Sequence, residues 1–161
     1  MSDFAQDALK RETVEKYFDM VYRLALSQTK SKDHADDVVQ EVFLRYLKKD
    51  RTFESEEHLK AWFIRVTINC VKSFFTTAWY RKTEALNEDI VFENEEQSDV
   101  FYATQELPEK YRLVIHLFYY EDMSVEEIAN ALNTKQSTVK SQLHRARGLL
   151  KEKLERGYDF V

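Results

Sequence analysis

Within ten residues, 136–145, the chain carries Gln136, Ser137, Thr138, Lys140, Ser141, His144 and Arg145. These side chains can hold phosphates and read base edges. Gln136, Ser137 and Thr138 fall where a helix would begin. Hydroxyls and free backbone N–H groups there suit phosphate. Lys140, Ser141, His144 and Arg145 recur at i, i+1, i+4 and i+5, which is one helix face. A Lys or Arg so placed can read guanine in a major groove. Val139, Leu143 and Ala146 occupy the opposite face. The bland alternative is a helical hairpin with a solvated outer face.

Elements on either side favour the first reading. Ser124-Val-Glu-Glu127 has the spacing of a capping box, which starts a short helix over 125–132. Asn133-Thr134-Lys135 is a turn, and Asn133 stands where a left-handed backbone is needed, a conformation Asn tolerates after Gly. A long helix follows from about Gln136 to Glu155. Small Ala129 permits close approach, and Ile128, Leu132 and Val139 would share a core. Capped helix, short turn and basic helix together spell a helix-turn-helix. Ahead of it, Pro108 suits a helical first turn, with Tyr111, Val114, Ile115, Leu117 and Phe118 as an apolar stripe.

The first half repeats a 3.6-residue period in three segments. One runs from about Thr13 to Thr29, with Val14, Tyr17, Phe18, Val21, Tyr22 and Ala25 on one side. Asp33 is the expected N-cap of the second, which reaches about Lys49. Val38, Val39, Val42, Phe43, Tyr46 and Leu47 form its apolar face, and Asp36, Asp37, Gln40, Glu41 and Arg45 its polar face. The third spans about Glu56 to Trp79, with Leu59, Trp62, Phe63, Val66, Cys70 and Phe74 as its stripe. Trp62 falls in that stripe and is expected in the core.

Charge divides the chain further. Residues 1–82 hold 15 Lys/Arg against 13 Asp/Glu, residues 83–105 hold none against 7, and residues 106–161 hold 9 against 9. Within the last part, 135–153 has six cations and only Glu152 as an acid. A local basic stretch on a protein of net charge −5 can still meet nucleic acid, because the near field decides contact. The expectation is an all-α protein with two small helical domains, 1–82 and 106–161. An acidic linker, 83–105, joins them and carries a short helical stretch near Val100–Tyr102.

Composition supports this and removes other classes. Two glycines and one proline in 161 residues are far too few for the turns of a sandwich, barrel or doubly wound sheet. They also leave no Gly-rich phosphate loop. One cysteine and four scattered histidines give no disulfide framework and no zinc motif. No nucleophile–base pair, metal set or cofactor loop can be assembled, so neither enzyme chemistry nor a cofactor is expected. The apolar runs are too short to span a membrane. The first residues lack the basic start and apolar run of a secretory leader, so the expected location is the cytoplasm.

Taken together, the blocks Asp36-Asp-Val-Val-Gln-Glu-Val-Phe-Leu44, Leu59-Lys-Ala-Trp-Phe-Ile-Arg-Val-Thr-Ile-Asn69, Leu107-Pro-Glu-Lys-Tyr-Arg112, Ser124-Val-Glu-Glu-Ile-Ala129, Ser137-Thr-Val-Lys-Ser141 and His144-Arg-Ala-Arg147 give a specific order. With it the chain resembles a bacterial extracytoplasmic-function (ECF) sigma factor, the smallest type of the sigma-70-like family. The resemblance covers about Phe18 to Leu154. It implies that Asp36, Asp37, Gln40, Glu41, Leu44 and Arg45 bind the clamp helices of the largest subunit of core RNA polymerase. Asn69, with Trp79, Tyr80, Arg81 and Lys82 after it, would recognise and open the promoter −10 element. Aromatics there could stack on single-stranded bases. Gln136, Ser137, Thr138, Lys140, Ser141, His144 and Arg145 would read the −35 element. Arg147, Lys151 and Lys153, further along, are expected to touch phosphate or solvent. An anti-sigma protein is a further partner that the family implies. The sequence departs from many relatives at Gln142, often Arg, at Asn133, often Gly, and at the uncharged Phe74-Phe-Thr-Thr77. A helix-turn-helix regulator working without polymerase is the competing reading, but it leaves the segments 33–49 and 56–79 without a role.

Overall fold

The computed structural model describes residues 3–76 and 98–157. Trp79, Tyr80, Arg81 and Lys82 lie outside the described residues, as does most of the acidic segment. The described part is helical and forms two compact units.

The first unit packs α1 (Asp3–Thr29), α2 (Lys32–Lys48) and α3 (Glu56–Thr76) against one another. Val21, Leu24 and Ala25 of α1, Val38 and Val42 of α2, and Phe63, Ile64 and Val71 of α3 make the core. Phe63 is its hub, with ring centroids 5.0 Å from Tyr17, 5.5 Å from Phe43, 5.2 Å from Tyr46 and 5.1 Å from Trp62. The α3 stripe is wider than its period implied. Ile64, Thr67 and Val71 are also buried because both other helices cover it. Thr67 is accommodated there by donating its hydroxyl to the Phe63 carbonyl at 2.6 Å.

Two boundaries differ from expectation. Helix α1 begins ten residues before the periodic segment. Phe4 and Leu9 stay exposed, so burial leaves no period to detect there. Helix-forming Ala, Leu, Lys, Arg and Glu carry the extension, and Lys10 ties it to Asp50 at 2.6 Å. The N-cap of α2 is Ser31 and not Asp33. Lys30 turns the chain at φ 60°, which leaves Ser31 extended and accepting from the His34 N–H at 3.4 Å. Asp33 lies in the first turn, where its charge favours the positive helix end.

The second unit holds α4 (Ser98–Gln105), α5 (Glu109–Ile115), a π-helical turn (His116–Tyr120), α6 (Val125–Leu132) and α7 (Gln136–Gly157). Residues 98–105 were expected at the end of the linker. They form a helix packed on α5 and α7, burying Ala103, Thr104 and Gln105. A buried face of one small and two polar residues gives no apolar period to read. Pro108 precedes α5 as its cap. Arg112, almost fully buried, donates to the Leu107 carbonyl at 2.9 Å and so closes the turn beneath it. Burial lowers the pKa of its guanidinium.

Candidate nucleic-acid interface and partner face

The helix-turn-helix is built by local chemistry. Ser124 Oγ accepts from the Glu127 N–H at 3.1 Å, and Glu127 Oε1 accepts from the Ser124 N–H at 3.2 Å. This reciprocal cap satisfies two N–H groups that the start of α6 would leave unpaired. At the other end Asn133 adopts φ 53°, ψ 51°. The Thr134 N–H then closes onto the Ala129 carbonyl at 2.9 Å. Ile128, Ala129, Ala131 and Val139 are buried between the helices, while Leu132 is half-buried.

This seating decides what α7 shows to solvent. Val139, Leu143 and Ala146 are buried. Gln136 and Ser137 are exposed in the first turn, with Thr138 half-exposed. Lys140, Ser141, His144 and Arg145 are exposed on one strip that continues through Gly148 and Leu149 to Glu152. Lys140 and Arg145 have no acidic partner among the described residues. The structure therefore brings the seven expected reading residues onto the first half of one helix.

The other cations of α7 behave differently. Arg147 is exposed, but solvent is not its only partner. Its Nε–H donates to Tyr119 Oη at 2.7 Å, and its guanidinium lies 5.4 Å from the Phe118 ring centroid and 5.6 Å from that of Tyr119. Lys153 lies 3.5 Å from Glu106, and Lys151 lies 4.0 Å from Glu155. Arg147 is thus exposed, as expected, and in addition is held by a phenol oxygen and two aromatic faces. Tyr119 is 28 residues away from Arg147 in sequence, so no local pattern could have paired them.

In the first unit, Asp36, Asp37, Gln40, Glu41 and Leu44 are exposed along one side of α2, with Arg45 half-exposed beside them. Arg45 Nε donates to Glu41 Oε1 at 2.9 Å, an i, i+4 pair. This hydrogen bond is the main cause that raises the Arg45 pKa. Leu44 is 57% exposed and Leu47 47%. The face is thus acidic with an apolar end, which suits a protein partner more than DNA.

Helix α3 carries Asn69 on its exposed side. Arg65, Lys72, Ser73 and Thr76 are exposed with it at spacings of one helix face. Arg65 and Lys72 escaped the sequence reading, although their offsets from Asn69, i−4 and i+3, were there to be seen. Trp62 is half-buried, with Tyr46 and Phe53 both 5.9 Å away and Arg51 at 4.8 Å over its ring. It packs against the core as expected, but at its edge and not inside it. The start of α3 is anchored by Glu56, which accepts from Tyr17 at 2.6 Å and from Lys16 at 2.9 Å. These bonds, the tyrosine's first, lower the Glu56 pKa.

Among the described residues no group of His, Cys, Asp and Glu could hold a metal, and no helix is long and apolar enough to cross a membrane. Comparison with known proteins covers both units. Residues 13–81 match the Sigma-70 region 2 family and residues 99–150 the Sigma-70 region 4 family. The RNA polymerase sigma factor SigV of Bacillus subtilis is 30% identical over 140 residues, covering 83% of each chain. The ECF RNA polymerase sigma factor SigM of the same organism is 28% identical over 158 residues, covering 91% of this chain and 95% of that one. In fold, the chain is similar to the sigma factor RpoE of Bartonella quintana, solved in complex with the anti-sigma factor NepR. That likeness has a TM-score of 0.76 at 22% identity, over 91% of this chain and 96% of that chain.

Proposed function

The chain belongs to the ECF group of the sigma-70-like family, and on that premise we propose how promoter-directed initiation is divided along it. It is a sigma factor that binds core RNA polymerase and directs transcription from particular promoters. The first unit, with residues through about 82, holds the polymerase and opens the −10 element. The second reads the −35 element, and the acidic stretch between joins them. Residues 98–105 pack with the second unit, so the linker is assigned to 83–97.

The observation that carries this reading is the opposite chemistry of two outward faces. On α2, Asp36, Asp37, Gln40, Glu41 and Arg45 surround the exposed Leu44, a surface for the clamp helices of the largest polymerase subunit. On α7, Lys140 and Arg145 stand with Ser141 and His144 on one exposed strip, suited to a DNA groove. Asn69, flanked by Arg65 and Lys72, has the amide for an extruded −10 base and cations for the adjoining phosphates. Trp79, Tyr80, Arg81 and Lys82 extend that role by family resemblance.

The factor carries out no reaction of its own; the polymerase supplies the chemistry. Its place of work is the cytoplasm, with chromosome and polymerase. RpoE of Bartonella quintana is held by an anti-sigma factor, and a comparable partner is proposed here. Run-off transcription with core polymerase on a promoter library tests the function. Transcripts dependent on the factor, sharing −10 and −35 sequences, are expected. Tight duplex binding without core, and no transcript with it, would instead identify a free-standing helix-turn-helix regulator.

A further inference from the structure

We propose that Arg147 is a positioning residue for promoter reading, one that fixes the angle of α7 through Tyr119 and Phe118. This inference rests on the reading of α7 as the −35 helix. Arg147 lies two residues beyond Arg145, about 200° around the helix. Seven residues beyond Lys140, it leaves the helix within about 20° of that residue, but its guanidinium is held at Tyr119 and Phe118.

What it grips is a turn closed by its own backbone hydrogen bonds. The π-helical turn closes with the Glu121 N–H donating to the His116 carbonyl at 3.2 Å. His116 Nε2 and Glu121 Oε1 are 3.3 Å apart, with side chains 6% and 4% exposed. The Met123 N–H reaches the Leu117 carbonyl at 3.1 Å, and Asp122 turns the chain at φ 52° into the Ser124 cap of α6. The wide turn sets Phe118 and Tyr119 side by side, edge to face, at 4.9 Å. Arg147 is bonded to one and lies near both rings. One guanidinium thus links the middle of α7 to the segment that leads directly into α6. The packing of Val139, Leu143 and Ala146 seats the helix, but apolar contacts permit small rotations. A directed hydrogen bond from a planar guanidinium resists them.

The test uses the full chain with core polymerase on a −35 library, across a range of salt. The variants are Arg147→Ala, Arg147→Lys, Tyr119→Phe and the double Arg147→Ala/Tyr119→Phe. Arg147→Ala should weaken promoter binding about three- to tenfold, the scale of one charged hydrogen bond with cation–π support. The slope of affinity against salt should not change, because no phosphate contact is lost. Arg147→Lys should not restore binding, since a lysine lacks the fork that spans both rings. In the Tyr119→Phe background, Arg147→Ala should cost clearly less than in the wild type. A salt slope lower by about one unit, with rescue by lysine, would make Arg147 a phosphate contact and overturn the proposal. Unchanged binding with only a lower melting temperature would also overturn it, by reducing Arg147 to a stabilising residue. Arg145→Ala is the separate control on the parent reading. If it leaves the −35 preference intact, α7 is not the reading helix, whatever Arg147 does.

Discussion

The outer faces of α2 and α7 are built alike and chemically opposed. Each helix buries an apolar stripe, Val38, Val39 and Val42 in one and Val139, Leu143 and Ala146 in the other. Each shows polar side chains at i, i+1, i+4 and i+5 on its far side. On α2 three of those four side chains are acidic, Glu41 is paired with Arg45 at 2.9 Å, and Leu44 and Leu47 remain exposed. On α7 Lys140 and Arg145 are unpaired by acids among the described residues, and Arg147 and Lys153 bond to other segments of the second unit. The difference shows that a count of charges along a helix says little. What matters is which charges the fold has already used. Within the basic stretch 135–153, Lys140 and Arg145 stand on the strip proposed to read DNA, while Arg147 and Lys153 tie the helix to Tyr119 and Glu106.

The contrast between the two faces should fail most visibly on substitution of Leu44. Leu44→Asp should reduce core polymerase affinity about 100-fold, as for a central apolar contact in an interface. The fold should be unaffected, because the residue is exposed. Core titration with labelled protein measures this. Arg145→Ala is the counterpart on α7. It should cost about 1–3 kcal/mol and relax one −35 position, with core affinity unchanged. Transcription across a −35 library gives both quantities.

A third change sharpens the contrast inside the first unit. Asn69→Ala should leave core binding intact and lower open-complex formation by about 1–3 kcal/mol, the scale of edge recognition. Permanganate reactivity of −10 thymines reads it out; unchanged reactivity would make Asn69 a bystander on α3. A smaller effect is expected at Gly148, on the α7 strip. A Cβ there would meet nothing within 4 Å. Gly148→Ala should therefore stabilise the second unit by about 0.5–1 kcal/mol. A thermal melt would show the gain, and a simultaneous fall in DNA affinity would place Gly148 against the DNA.

The smallest effect is a slope in pH. His34 is buried at the start of α2 against the Phe74 ring, 4.7 Å away, and burial lowers its pKa below the ordinary 6.5. Asp37 and Asp33 oppose the shift. The folded state thus binds the proton less well than the unfolded one. Stability from this group is present above about pH 6.5 and is lost as pH falls through the lower folded value. Denaturant melts at pH 7.5 and 5.5 should show that loss, and His34→Phe should reduce it. The start of α7, made of Gln136, Ser137 and Thr138, has no titrating counterpart.

These two faces also mark how far the sequence could be read. The Ser124–Glu127 cap and the left-handed Asn133 were legible because both depend on neighbours within four residues. The polar side of α2 and the α7 strip were legible because helical period alone assigns them. Ser31 was missed as a cap because the left-handed Lys30 that makes room for it leaves no trace in composition. The partners of Arg147 and Lys153 were illegible for a simpler reason: Tyr119 and Glu106 come from other segments of the chain, and only packing brings them together. Helix α4 was half-seen, since its buried side is small and polar.

If α2 meets the polymerase and α7 the −35 element, as proposed, the two functions should separate by mutation. Parallel measurement of core affinity and run-off transcription for wild type, Leu44→Asp and Arg145→Ala tests it most directly. The account predicts that Leu44→Asp loses core binding and transcription together. It predicts that Arg145→Ala binds core like the wild type but loses transcription from promoters that depend on the −35 element. Wild-type core affinity for Leu44→Asp, or a loss of core affinity in Arg145→Ala matching its loss of transcription, would contradict it.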